Sequence, residues 1–180
     1  MGMDEDPIAA TRRWLERAVI GLNLCPFAKA VHVKDRIRYV LSPATTPGDL
    51  LEELASELAW LAETDPDVVD TTLLVHPHVL QEFDDYNDFL DQADAAVDAL
   101  GLEGEIQVAS FHPDYQFAGT AFDDVGNCTN RSPYPILHLL REASVERAVE
   151  AFPDPDAIVQ RNIEALERLG AKGYRRLLEP

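Results

Sequence analysis

The sequence predicts an α/β fold: a single domain over residues 1–180, with a three- to four-stranded parallel or mixed sheet covered by about five helices. Three observations carry that expectation. Short segments rich in β-branched or alternating apolar residues take turns with long amphipathic ones. Start and stop residues bracket the long segments. No internal repeat, low-complexity tract or linker divides the chain.

The first helix is expected from about Pro7 to Leu22, with Leu15, Ala18, Val19 and Leu22 on one stripe. Pro26 argues that it has ended by then. Residues 36–41 alternate, with Ile37, Tyr39 and Leu41 on one face, and read as a strand. Thr46, Pro47 and Asp49 are a cap, a first-position proline and an acid at the positive end of a second helix. Leu50, Leu54, Leu58 and Leu61 form its buried stripe.

Residues 68–75 are apolar and β-branched, as a central strand requires, and run into His76-Pro77-His78. A third helix spans about 82–100, stopped by Gly101. Phe83, Tyr86, Leu90, Ala93 and Val97 face inward; Asp84, Asp88, Asp91 and Asp98 fall on the solvated side. Residues 105–111 alternate as a third strand and end in His112-Pro113-Asp114. The stretch 115–131 shows no periodicity, and it either hides a fourth strand or is a functional loop. Ser132-Pro133 starts an expected fourth helix to about Val149, and Asp154-Pro155 a fifth, stopped by Gly170. Strands that alternate with helices favour right-handed crossovers; a ferredoxin-like arrangement also fits.

Acidic residues number 33 against 15 basic, for a net charge of −18, in a chain that is 46% hydrophobic. That much apolar content excludes a disordered acidic tail. The negative field repels phosphate backbones and anionic lipids, so neither nucleic acid nor membrane is an expected partner. No apolar run is long enough to span a bilayer. Cys25 and Cys128 are too few for a disulfide scaffold and point to a reducing compartment. The acidic start Met1–Pro7 reads as no signal peptide, so the expected location is cytoplasmic. The oligomeric state has no signature in the sequence.

Two strands end in His-Pro. If they are parallel, His76 and His112 share one sheet edge, where open α/β sheets bind ligands. His76, His112, Cys25 and Cys128 are the expected metal ligands, and such a set suits zinc, iron or copper. Cys25, Asp114, His138 and Glu142 are the expected catalytic groups, the last two one turn apart if the fourth helix forms. Asn130, Arg131 and Ser132, at the mouth of that helix, and Tyr115 are expected to bind a small anionic substrate.

Three segments resemble one family. They are Gly21-Leu22-Asn23-Leu24-Cys25-Pro26-Phe27-Ala28, the run from Ser110 to Thr120, and Asn127 with the run from Thr129 to Glu142. Their motifs are similar to those of domain of unknown function family 1415. The resemblance covers nearly the whole chain. It implies a stand-alone bacterial cytoplasmic domain and carries no activity, cofactor or catalytic assignment.

Three readings of function follow. The first is a metal-dependent enzyme, redox or hydrolytic, acting on a small anionic molecule at the carboxyl edge of the sheet. The second is a metal-free enzyme in which Cys25 is the nucleophile and His112 its base, positioned by Asp114. The third is a non-catalytic acidic protein that binds a basic partner.

Overall fold

Asp6 accepts a hydrogen bond from the Ile8 amide and opens α1 (Pro7–Trp14), which continues as a π-helical turn, Leu15–Ile20. The computed structural model describes residues 5–25, 27–151 and 154–180. The expected helix stop at Pro26 and the start Met1–Asp4 lie outside them. A short α2 (Ala28–Val33) leads to β1 (Ile37–Leu41). Then come α3 (Pro47–Glu63), β2 (Thr71–Val75), α4 (Phe83–Ala99) and β3 (Ile106–Phe111). Residues 125–130 form a 3-10 turn, followed by β4 (Ile136–Arg141), α5 (Glu142–Ala151) and α6 (Pro155–Leu178). Gly170 breaks α6 at φ 71°, ψ 165°, as expected, and the chain resumes a helix beyond it.

The four strands form one mixed sheet in the order β1-β2-β4-β3. β1 runs parallel to β2 through α3, while β4 is antiparallel to both β2 and β3. β2 and β3 therefore point the same way, and His76 and His112 do share one edge. Side chains alternate across the sheet. Leu74, Leu137 and Leu139 meet the leucine stripe of α3 and the inward face of α4 on one side. Leu73, Val75 and Ile136 meet Trp14, Ala18, Leu166 and Tyr174 on the other. The aspartates Asp84, Asp88, Asp91 and Asp98 are exposed, as their helical spacing predicts.

The expected fourth helix is the main correction. Residues 136–141 are a central strand, and helix begins only at Glu142. Ile136-Leu137-His138-Leu139-Leu140-Arg141 is apolar toward both faces because β4 is flanked by strands and covered on both sides. Such a run lacks the period-2 alternation that marks a half-buried strand. Two expectations fall with that helix. Ser132-Pro133 is not a helix mouth, so no helix amides face an anion there. His138 and Glu142 are not a turn apart on one helix; His138 is on β4 and Glu142 opens α5. Leu41 is also exposed, at 46%, because β1 is an edge strand.

Candidate functional site

Most of the expected site residues fall into three places; Glu142, at the start of α5, is in none of them. The first is the carboxyl edge of β2 and β3. His76 and His112 are both fully buried against Tyr86, with ring centroids 5.8 and 5.0 Å from it. The Tyr86 hydroxyl donates to the Ile136 carbonyl at 2.6 Å and accepts from the Phe111 amide at 3.0 Å. Both nitrogens of His112 are engaged. Nδ1 accepts from the Asp114 amide at 3.0 Å, so the ring proton sits on Nε2 and is donated to the Leu80 carbonyl at 3.1 Å. His76 Nδ1 bonds the Val79 carbonyl at 3.0 Å, and its Nε2 is buried without a partner among the described residues. The two imidazoles clamp successive carbonyls of a segment in which Leu80 holds φ 59°, a conformation that needs such support. Burial lowers both pKa values, that of His76 to about 4.

This edge leaves one free imidazole lone pair, on His76. Cys25 is on the opposite face of the sheet, packed with Trp14 and Val19, and Cys128 sits under α6. Among the described residues no group of three or more His, Cys, Asp or Glu side chains is placed to hold a metal ion.

The second place is a cleft of about 400 Å³ between the loop before β4 and the end of α6. It gathers Asp114, Cys128, Arg131 and Ser132 from the expected set. Arg131 Nε donates to the Tyr115 carbonyl at 3.0 Å, Nη2 donates to the Phe122 carbonyl at 2.6 Å, and the guanidinium lies over the Phe122 ring. Burial pushes the Cys128 thiol up, opposed by the Arg131 guanidinium beside it. Asn130 and Tyr115 do not line this cleft. Asn130 Nδ2 holds the Ser110 carbonyl at 3.0 Å, and the Tyr115 ring packs on Phe83 and Phe117.

The third place is a cavity of about 110 Å³ under α1. Trp14, Val19, Leu73 and Phe111 form apolar walls, and Cys25, Thr71 and His138 are its polar side chains. Leu24 and Cys25 amides both reach back to the Val19 carbonyl, which holds the cysteine at the end of the π-helical turn. His138 reaches the cavity from β4. Its Nε2 lies 2.7 Å from Thr71 Oγ1, whose own proton goes to the Leu139 carbonyl at 2.6 Å. The threonine oxygen must therefore accept, so Nε2 carries the imidazole proton and Nδ1 keeps its lone pair. Nδ1 has no protein partner among the described residues. Desolvation alone lowers the pKa of His138 to about 4. Trp14 Nε1 donates to the Tyr174 hydroxyl, which donates to the Arg131 carbonyl at 2.5 Å, so one bonded chain separates cavity from cleft.

The sequence pointed to Cys25 and His138 but not to their meeting, and it offered no sign of Thr71. A threonine in a strand carries no signal of its own.

A family model described as a protein of unknown function (DUF1415) matches residues 6–176. The chain belongs to that family. No curated protein and no solved structure matches. All three segments that resemble DUF1415 reach the cavity of this DUF1415 chain: Cys25 and Ala28 from the first, Phe111 from the second, His138 and Leu140 from the third. Among the described residues no helix is long and apolar enough to cross a membrane.

Proposed function

We propose that the chain is a thiol enzyme that transfers or hydrolyses a short acyl group, with Cys25 as nucleophile, His138 as base and Thr71 as the group that orients the base. The observation that carries this reading is the shared cavity: a thiol and a neutral imidazole line one apolar space, and Thr71 keeps the imidazole lone pair on Nδ1. Nucleophile, base and orienting group are the parts that thiol catalysis needs. The base is His138 rather than His112, whose Nδ1 is already occupied.

In the first step the Cys25 sulfur attacks the acyl carbon and the thiol proton passes to His138 Nδ1. The bond to the leaving group breaks, the leaving group takes that proton, and a thioester remains on Cys25. Water then attacks the thioester, its proton returning through His138, and the acid departs with the thiol restored. His138 is held neutral, so it is available as a base across the physiological range. A dry cavity of about 150 Å³ takes a benzene ring. A space of about 110 Å³ suits a short aliphatic acyl chain.

Both cysteines are free thiols, which suits the reducing bacterial cytoplasm expected for this chain. The test is acylation by p-nitrophenyl acetate, read by nitrophenol release and by intact mass. A burst of nitrophenol with an acetyl adduct on Cys25, lost in Cys25→Ser and kept in Cys128→Ser, supports the reading. Equal turnover in Cys25→Ser, with no adduct, overturns it.

A further inference from the structure

The cleft beside α6 holds an unusual arrangement of charge. Four side chains that are charged at neutral pH line it: Asp114, Asp123, Arg131 and Arg175. Two are cations and two are anions, yet none pairs with another within 4.0 Å among the described residues. Arg131 is turned to backbone carbonyls and the Phe122 ring. Arg175, Asp114 and Asp123 are exposed, and their side chains make no hydrogen bond in the described structure. Opposite charges that share a cleft gain by closing into ion pairs when nothing holds them apart. Here the β3–β4 connection carries the carboxylates and Arg131, and α6 carries Arg175, so the four charges reach the cleft from two separate elements. Pro113, Pro133, Phe122, Ala171 and Leu178 supply apolar walls, beside Cys128, Ser132 and Tyr174. At about 400 Å³ the cleft is within the range of small-molecule sites.

We infer that this cleft binds a small zwitterion with an apolar side chain, a free α-amino acid. Arg175 takes the carboxylate with its guanidinium fork, and Arg131, whose Nε and Nη2 already hold backbone carbonyls, adds its charge and Nη1. The carboxylates of Asp114 and Asp123 take the ammonium. The apolar walls take the side chain. A purely anionic ligand would meet two carboxylates in the same cleft, and a purely cationic one two guanidinium groups. Only a molecule that carries both charges satisfies all four. The cleft is separated from the Cys25 cavity by the Trp14–Tyr174 bond, so this inference does not depend on the thiol chemistry.

Calorimetric titration of the full chain with L-leucine and L-phenylalanine tests it, beside N-acetyl-L-leucine, L-leucinamide and inorganic phosphate. Binding of a free amino acid is expected, with at least tenfold weaker binding of the acetyl and amide forms, each of which lacks one charge. Arg175→Ala and Asp123→Asn change exposed side chains and leave the fold intact; each is expected to weaken binding about tenfold. The inference is overturned if neither amino acid binds. It is also overturned if N-acetyl-L-leucine or phosphate binds as tightly as the free amino acid, which marks a plain anion site, or if both variants bind as the parent does.

Discussion

Thr71 Oγ1 lies 2.7 Å from His138 Nε2, joining β2 to β4 inside the cavity that also receives Cys25. That bond decides which nitrogen of the imidazole keeps a lone pair. Thr71→Val removes the acceptor and leaves Nε2–H unpaired. A loss of about 1–3 kcal/mol in unfolding free energy is expected, as for any stranded buried donor. Acylation of Cys25 should fall further than stability explains, and Thr71→Ser should restore it. Urea unfolding beside the acylation rate checks this; a serine variant as slow as the valine one would show that the hydroxyl orients nothing.

Acid should weaken the fold through its imidazoles. Burial lowers the folded pKa of His76 and of His138 from 6.5 to about 4, and lowers that of His112. Between about pH 4 and 6.5 the unfolded chain binds these protons and the folded chain does not. Stability therefore rises with pH across that window and is lost as pH falls through it. Each of the two larger shifts corresponds to about 3 kcal/mol at most. Denaturant unfolding at pH 7, 6 and 5 should show the decline, and His76→Gln should flatten it. A slope unchanged by that substitution would assign acid sensitivity to other groups.

Gly21 is expected to tolerate no side chain. A Cβ there would run into the Arg17 carbonyl at the end of the π-helical turn, so the backbone that delivers Cys25 must shift. Gly21→Ala should cost about 1–3 kcal/mol and change the rate of Cys25 alkylation, while Gly48→Ala, with open space around it, should change neither. Alkylation by iodoacetamide, followed by mass spectrometry, distinguishes the two.

Arg141 closes the opposite edge of the sheet. Its Nη2 donates to the carbonyls of Leu61, Thr64 and Val69, and Asp70 lies 3.9 Å from Nε. A neutral side chain leaves the three carbonyls without that donor and Asp70 without its cation. Arg141→Met should lower unfolding free energy by about 2 kcal/mol, measured by urea titration. A change near zero would mean that the carbonyls are equally well served by water.

Local signals in the sequence located most elements because each element is consistent with its own patterning. The caps at Thr46 and Asp154, the stripe Leu50–Leu54–Leu58–Leu61 and the break at Gly170 all stand where the residues placed them. β4 was hidden because a strand at the middle of a sheet is apolar on both faces, and Ser132-Pro133 ahead of it imitates a helix start. The mistaken helix also misdirected the site: it tied His138 to Glu142 along a turn, whereas β4 ties it to Thr71 across the sheet.

The sequence by itself determined the α/β class, the placing of His76 and His112 at strand ends, and the family. These follow from periodicity, chain direction and contiguous motifs, all of which are properties of neighbours along the chain. Tertiary structure alone decided which residues work together. His112, at the end of β3, and Cys25, at the end of the π-helical turn, lie on opposite faces of the sheet. Cys25 and His138, more than a hundred residues apart, line one cavity. The physical reason is the alternation of side chains along a strand: Phe111 faces the cavity and His112, the next residue, faces α4. A one-residue step thus assigns two adjacent side chains to different chemistry, and only the assembled sheet shows which partner each one meets.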